Sequence, residues 1–345
     1  MALTGETISM GLLDAFNEGG RWFVAYPTIA PIMPVTERGG TLQVLPVSAS
    51  TPPGDVFNIA KTAGAAYTQA TGAYTGVPFS TNPVGIEAAI DRSFRLPETA
   101  AIDAARQCRR MVDTAIEATV KDAALAESDG FPAVPAGAAW DDEAADPAKD
   151  VAAAAAVIRA ATGMYPNVLA VSGWAWETLL GCPALRDRLA LSVTRGPAEV
   201  ERALGALLGV DRVVKSTVVG GPPTPAATWP DTTAWVGVCA LPGDPPSEPS
   251  AMRVAAWTGE GADESGWVVE TYYDERTRSD YVRVRGNLGL VVVSEKLGCR
   301  ITGIKTAPAA TNGGSGNQTG GGENPGGDNQ GGSSGTGGGE TGGNT

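Results

Sequence analysis

Residues 140–189 read WDDEAADPAKDVAAAAAVIRAATGMYPNVLAVSGWAWETLLGCPALRDRL. Pro147 opens a helix at the first position, where its missing N–H costs nothing. Gly163 closes that helix as a C-terminal cap, so an alanine-rich helix is predicted over 147–163. Pro166-Asn167 then turns the chain into NVLAVSG. This run is short, apolar and bounded by Pro166 and Gly173, which reads as a buried strand. WAWETLLGC and PALRDRLAL read as short helices. The serine in AVSGW poses a chemical question, because G-x-S-x-G marks a nucleophile elbow. Here Ala170 takes the first place and Trp174 the last, and an indole is too bulky for that tight strand-to-helix turn.

Working outward toward the C-terminus, PAEVERALGALLG is a further helix between Pro197 and Gly209, and RVVKSTVV is the strand after it. Helix, strand, helix, helix, strand is an α/β arrangement. From 234 to 305 strand-like runs dominate: AWVGVCAL, MRVAAW, GWVVETYYD, DYVRVRGN, GLVVVS and CRITGIK. The last four alternate or run apolar between turn signals and read as an antiparallel set. Beyond Thr306 the chain is glycine-rich, with no large apolar residue and no positive charge. It cannot bury a core and reads as a flexible appendage.

Toward the N-terminus, residues 97–127 predict a long helix, with Pro97 at the first position and Glu98 complementing the positive end of the dipole. Ile102, Ala105, Cys108, Val112, Ala115, Ile116 and Thr119 share one face. Roughly 30 residues at about 1.5 Å each make a rod of about 45 Å, longer than most globular helices. Residues 39–90 are rich in Gly, Thr, Ser and Pro, with strand-like runs such as TLQVLPV. So few large apolar residues cannot bury a core alone, so the region is either disordered or a long two-stranded ribbon packed on a neighbouring molecule, and the ribbon is the favoured reading. Before them, ISMGLLDAF is a short helical candidate. RWFVAYPTIAPIMPV follows, and Pro27, Pro31 and Pro34 argue for an extended arm with no helix.

The composition closes much of enzyme space. The 345 residues contain no histidine. Ser-His-Asp triads, Cys-His pairs, H-E-x-x-H zinc sites and histidine general bases therefore cannot form. No phosphate-cradling glycine loop of the P-loop or dinucleotide-binding type occurs. Cys108, Cys182, Cys239 and Cys299 lie far apart and read as buried thiols. Asp141, Asp142, Glu143 and Asp146 form an acidic cluster, read as a solvated cap before a helix and not as a metal site. Arg106, Arg109 and Arg110 read as partners for acids of neighbouring elements. Tyr272, Tyr273, Asp274, Glu275 and Arg276 read as a strand end and turn. No catalytic, cofactor-binding or metal residue is assigned, and no cofactor. The net charge of −13 argues against wrapping nucleic acid by counterion release, while still permitting the chain to lie beside it. The N-terminus lacks the basic and apolar regions of a signal peptide. No apolar run approaches membrane-spanning length, so synthesis in the cytoplasm is expected.

The order of these features resembles the major capsid proteins of tailed double-stranded DNA bacteriophages. Residues 140–189 are similar to that family's W…DP…I..A...I...TG..PN.LVL....W..L..HP.I.DRI passage. Asp146-Pro147, Thr162-Gly163, Pro166-Asn167, Trp176, Leu179, Pro183 and Asp187-Arg188 stand in the matching places. LLGVDRVVKSTVV and GCRITGIK resemble later strands of the family, and Cys182 departs from the histidine common there. The resemblance spans about residues 20–305. It implies an α+β fold of the Hong Kong 97 type, with an N-terminal arm (1–38) and an extended β-hairpin, the E-loop (39–90). A peripheral domain with a spine helix (91–145), an axial domain (146–265), return strands (266–306) and a glycine-rich tail (307–345) complete it. It further implies a non-enzymatic shell subunit, self-assembling into the pentamers and hexamers of an icosahedral head around double-stranded DNA. Implied partners are copies of itself, portal, scaffolding or decoration proteins, and packaged DNA on the inner face without sequence-specific binding; no membrane is involved. The implied location is the virion, after assembly in the host cytoplasm. Some relatives cross-link a hairpin lysine to a neighbour's asparagine. Lys61 is a candidate donor, but no acceptor is evident and no cross-link is assigned. The rivals are an encapsulin-like nanocompartment shell of the same fold, a hydrolase and a surface adhesin.

Overall fold

The computed structural model describes residues 16, 24–44, 74–90, 97–128, 130–192, 197–218, 228–241 and 243–306. The hairpin tip with Lys61, the start of the arm and the glycine-rich tail lie outside the described residues.

The long helix α2 (Pro97–Ala124) runs 28 residues, about 42 Å at about 1.5 Å per residue. Of its expected apolar face, Ala105, Cys108 and Val112 are buried, joined by Ala101 and Ala104. Ile102, Ala115 and Ile116 are half-buried and Thr119 is exposed. A second buried face holds Asp113, Glu117 and Ala118. The sequence pattern hides this face because two of its members are acids.

The first sheet packs against α2. Its strands are β1 (Ile32–Val35), β4 (Asn82–Ala89), β9 (Met252–Trp257), β10 (Trp267–Asp274) and β11 (Ser279–Val292). DYVRVRGN and GLVVVS, read from sequence as two strands, are one continuous 14-residue strand. Asn287 and Gly289 are accommodated in the ladder and do not break it. β11 pairs antiparallel with β10, β4 and β9 in succession, and β1 adds in parallel to β9.

The second sheet has the order β5-β12-β8-β6-β7. It comprises β5 (Ala133–Pro135), β6 (Val168–Ser172), β7 (Arg212–Ser216), β8 (Thr233–Gly237) and β12 (Gly298–Thr302). CRITGIK therefore leaves the antiparallel set expected from the sequence. β12 pairs antiparallel with β8 and parallel with β5, which places the buried Cys299 and Ile301 in the core of this sheet. Helices α3 (Pro147–Thr162), α4 (Gly173–Gly181), α5 (Pro183–Ser192) and α6 (Pro197–Leu208) occur where the sequence predicts them. Gly163 caps α3 in the left-handed conformation, φ 77°, its N–H donating to the Arg159 carbonyl. β6 is buried along its whole length, and the indole of Trp235 on β8 meets Phe131 edge-on at 5.5 Å.

The ribbon is present at its base: β2 (Gly39–Val44) pairs antiparallel with β3 (Thr75–Ser80). Leu42 and Val44 pack with Met33, Ala255, Val291 and Val293 into a small core of their own. A further expectation is corrected. The arm holds a helical turn, α1 (Tyr26–Ile29), despite its prolines. Pro27 stands in the first turn, where no helical N–H is needed. Tyr26, Ile29 and Met33 are buried, so this part of the arm is seated on its own chain.

Candidate assembly surfaces and structural relatives

The residues singled out in the sequence are distributed over structural posts. Ser172 ends β6 and caps α4, its Oγ accepting the Ala175 N–H at 3.1 Å and donating to Asp231 Oδ1 at 2.8 Å. The other oxygen of Asp231 accepts from Lys305 Nζ at 2.9 Å. Burial pushes the Asp231 carboxyl up, but the bonds from Lys305 and Ser172 outweigh it and hold the group below the ordinary range. Lys305 also lies over the Trp174 ring, 4.4 Å from its centroid. The bulky residue that spoils the elbow motif is thus a wall for the lysine.

The acidic cluster is dispersed. Asp141 accepts both the backbone N–H and the hydroxyl of Thr306, at 3.1 and 2.9 Å, and the hydroxyl bond lowers its pKa. Asp142 closes its own turn by accepting the Ala144 N–H, and Asp146 caps α3. Among the described residues no cluster of three or more His, Cys, Asp or Glu fit to hold a metal ion is present. Sequence reasoning missed Asp150, one helical turn further on. Its two oxygens accept the Gly137 N–H and the buried Trp140 indole N–H, each at 2.9 Å, and so bind the loop before α3 to the helix. All four cysteines are buried and unpaired, and burial pushes the thiols of Cys108 and Cys299 up to about 11.

Arg106 and Arg109 of α2 pair with acids of their own helix, where acids of neighbouring elements were expected, and Arg109 also donates to the Tyr26 hydroxyl of the arm at 3.4 Å. Arg106 lies 4.0 Å from Asp103 and Arg109 2.9 Å from Asp113, at i,i+3 and i,i+4 spacing, the spacing that brings side chains together on a helix surface. Arg110 is engaged as well. Asp113 in turn accepts the Tyr26 hydroxyl at 2.8 Å. One turn on, the fully buried Glu117 accepts the backbone N–H groups of Ala25 and Tyr26 and the indole N–H of Trp229. These two acids fasten three parts of the chain together: the arm, the spine helix and the segment entering β8. At the far end of α2, the Arg300 guanidinium donates to the carbonyls of Leu125 and Phe131, both at 3.1 Å. It thereby ties β12 to the helix terminus, where orphan carbonyls need donors.

Among the described residues, two exposed surfaces are candidates for contact with other molecules. The first is the ribbon β2–β3: β2 exposes Gly39, Gly40, Thr41 and Gln43 and buries Leu42 and Val44, β3 exposes all but the half-buried Val77 and Phe79, and the tip lies outside the described residues. The second is the face of the first sheet turned away from α2. There Arg283 donates to Glu87, lies over the Tyr272 ring at 4.2 Å and approaches Glu270 at 3.7 Å. Tyr272 stacks on Tyr281 at 5.5 Å and donates to Glu87. The hydroxyl of Tyr272, then Arg283, hold the Glu87 carboxyl below its ordinary range. The expected strand end at Tyr272–Asp274 thus belongs to an exposed aromatic and ionic ladder across β4, β11 and β10.

No family model matches the chain, and no curated protein matches it by sequence. Solved structures do. A phage-related protein from Bordetella bronchiseptica superposes with a TM-score of 0.63 at 22% identity, over 88% of this chain and 98% of that one. The capsid of the cyanophage P-SCSP1u superposes with a TM-score of 0.50 at 10% identity, over 84% and 90%. A putative capsid protein of an Escherichia coli prophage gives 0.49 at 15% identity, over 88% and 99%. Helix α2 with its sheet, the second sheet with α3 to α6, and the ribbon between arm and spine are the parts that such a fold requires. The chain has the Hong Kong 97-type α+β fold of tailed-phage capsid proteins.

Proposed function

We propose that this chain is the structural major capsid protein of a tailed bacteriophage, self-assembling into the pentamers and hexamers of an icosahedral head around double-stranded DNA. The observation that carries this reading is the ribbon. The two-stranded ribbon β2–β3 is held by a core of only a few residues, so it has little to bury against on its own chain. It becomes stable when it lies on a neighbour. Contacts spread over several neighbours give a firm shell without any single tight interface.

The division of labour follows the domain boundaries expected from the sequence. The E-loop (39–90) reaches other subunits, the arm (1–38) is seated on its own chain through Tyr26, Ile29 and Met33, and the peripheral domain (91–145, with return strands 266–306) forms the edge of the capsomer. The axial domain (146–265) gathers around the capsomer axis, and the tail (307–345) is an appendage. The subunit acts without catalysis, cofactor or metal. Its partners are copies of itself, with portal, scaffolding or decoration proteins joining the same shell. DNA lies against the inner face without sequence-specific contacts, as suits an acidic wall. The product is the virion, assembled in the host cytoplasm.

Electron microscopy of the purified recombinant chain tests this. Capsomers or closed shells are expected on varying salt. A chain that stays monomeric under every condition overturns the proposal. Particles isolated from the native source that hold nuclease-protected DNA separate a phage head from a nanocompartment filled with protein.

A further inference from the structure

Between the C-terminal half of α2 and the first sheet lies a half-open cavity of about 200 Å³. Its walls include Val112 and Ile116 of the helix and Val84, Trp267 and Leu290 of the sheet, and among the described residues no charged side chain contributes to it. A cavity of about 150 Å³ with aliphatic walls already accepts a benzene-sized group. This one has room for one or two aliphatic side chains. Left open to water, such a surface is a standing site for apolar association.

The structure also shows what stands beside it. Phe16 is fully buried and meets the Trp267 ring edge-on, with centroids 5.9 Å apart. The Arg109 guanidinium lies 5.2 Å from the same phenyl ring. Trp267 is therefore at once the partner of Phe16 and a wall of the cavity. Phe16 has helical backbone geometry. On a helix, residues three, four and eight positions earlier share its face, and in this chain they are Leu13, Leu12 and Ile8. Leu12 is within about 14 Å of Phe16 even if the chain is fully extended, and about 6 Å along a helix.

We propose that Ile8, Leu12 and Leu13, which lead into Phe16, fill this groove on the same chain and lock the N-terminal stretch beneath the spine helix. The anchor is the Phe16–Trp267 contact; the groove continues the apolar track that this contact begins. The docking is independent of shell formation, so its failure would leave the capsid reading untouched.

The test is site-directed cross-linking of the full-length chain carrying Leu12→Cys and Ala115→Cys. The four native thiols are buried and stay silent under native conditions. With a short bis-maleimide, a link within one chain is expected, located by peptide mass mapping. A link found only between chains means that a second copy's N-terminus occupies the groove, and overturns the proposal. So does the absence of any link when each single variant reacts fully with a monofunctional maleimide. As a second reading, Leu12→Asp with Leu13→Asp should uncover the groove and raise the fluorescence of an added naphthalene sulfonate dye several-fold. Fluorescence equal to that of the unaltered chain also overturns it.

Discussion

The Glu117 carboxylate accepts the backbone N–H of Tyr26 at 2.8 Å, a bond between the middle of the spine helix and the helical turn of the arm. The same carboxylate takes the N–H of Ala25 and the indole N–H of Trp229. Replacing Glu117 by leucine leaves three buried donors without an acceptor. Each such orphan costs about 1–3 kcal/mol, so Glu117→Leu is expected to lose at least about 3 kcal/mol of stability. Glu117→Gln keeps one carbonyl oxygen and should lose less. Urea unfolding of the purified chain gives both values from the shift in midpoint at constant slope. Equal losses for the two variants would mean that one retained carbonyl oxygen is worth nothing here and that the donors require the whole carboxylate.

Glu117 also sets a pH dependence. Burial, opposed by its hydrogen bonds, raises its pKa above the ordinary glutamate value of 4.5. Between the unfolded and folded values the native state then holds the proton more firmly than the unfolded chain. Stability from this group is therefore greatest below the unfolded value and declines as pH rises through the folded one. Unfolding midpoints measured from the ordinary glutamate range upward should show this decline in the unaltered chain. In Glu117→Gln, which has no titrating group there, the decline should be shallower. An identical pH profile for both chains would assign the effect to other carboxyls.

The helices and most strands were legible because their signals are local. Pro147, Gly163, Pro197 and Gly209 mark ends that the structure keeps, and Val168–Ser172 is the buried strand that its apolar run implies. What stayed hidden depends on partners distant in sequence. Glu117 looks like one more acid on a solvated helix until Ala25 and Trp229 arrive, 92 and 112 residues away. The move of β12 into the second sheet is likewise decided by β5 and β8, and no periodicity within CRITGIK encodes it. Pro27 misled in the other direction, since one turn of helix tolerates a proline that a longer one would not.

The hairpin base rests on a close approach at Gly289. A Cβ built on this residue would sit 1.9 Å from the carbonyl oxygen of Ser80, the last residue of β3. That is backbone, which cannot swing aside. Gly289→Ala is therefore expected to cost about 1–3 kcal/mol as overpacking, and to push the ribbon base off β11. Limited proteolysis should then cut within 39–90 faster than in the unaltered chain. If the ribbon is the element that binds neighbours, the yield of shells by electron microscopy should fall further than stability does. An unchanged cleavage rate would show that the ribbon is held chiefly by the small core around Met33 and Val291.

Ser172 offers the sharpest separation between a chemical and a structural role. Its hydroxyl caps α4 through the Ala175 N–H and reaches Asp231. Ser172→Ala removes the cap, at a cost of about 1 kcal/mol, and leaves Asp231 paired with Lys305 across 2.9 Å. A modestly lower unfolding midpoint with particles of unchanged form is therefore expected. Ser172→Asp restores an acceptor for the Ala175 N–H but sets a second carboxylate against Asp231. That repulsion should weaken the chain more than the loss of the cap does, and added salt should relieve part of it. Were the hydroxyl needed for a reaction, both variants would lose it alike while differing in stability. Ordering of the two variants by unfolding midpoint, alanine above aspartate, is the outcome that the Ser172–Asp231–Lys305 geometry demands.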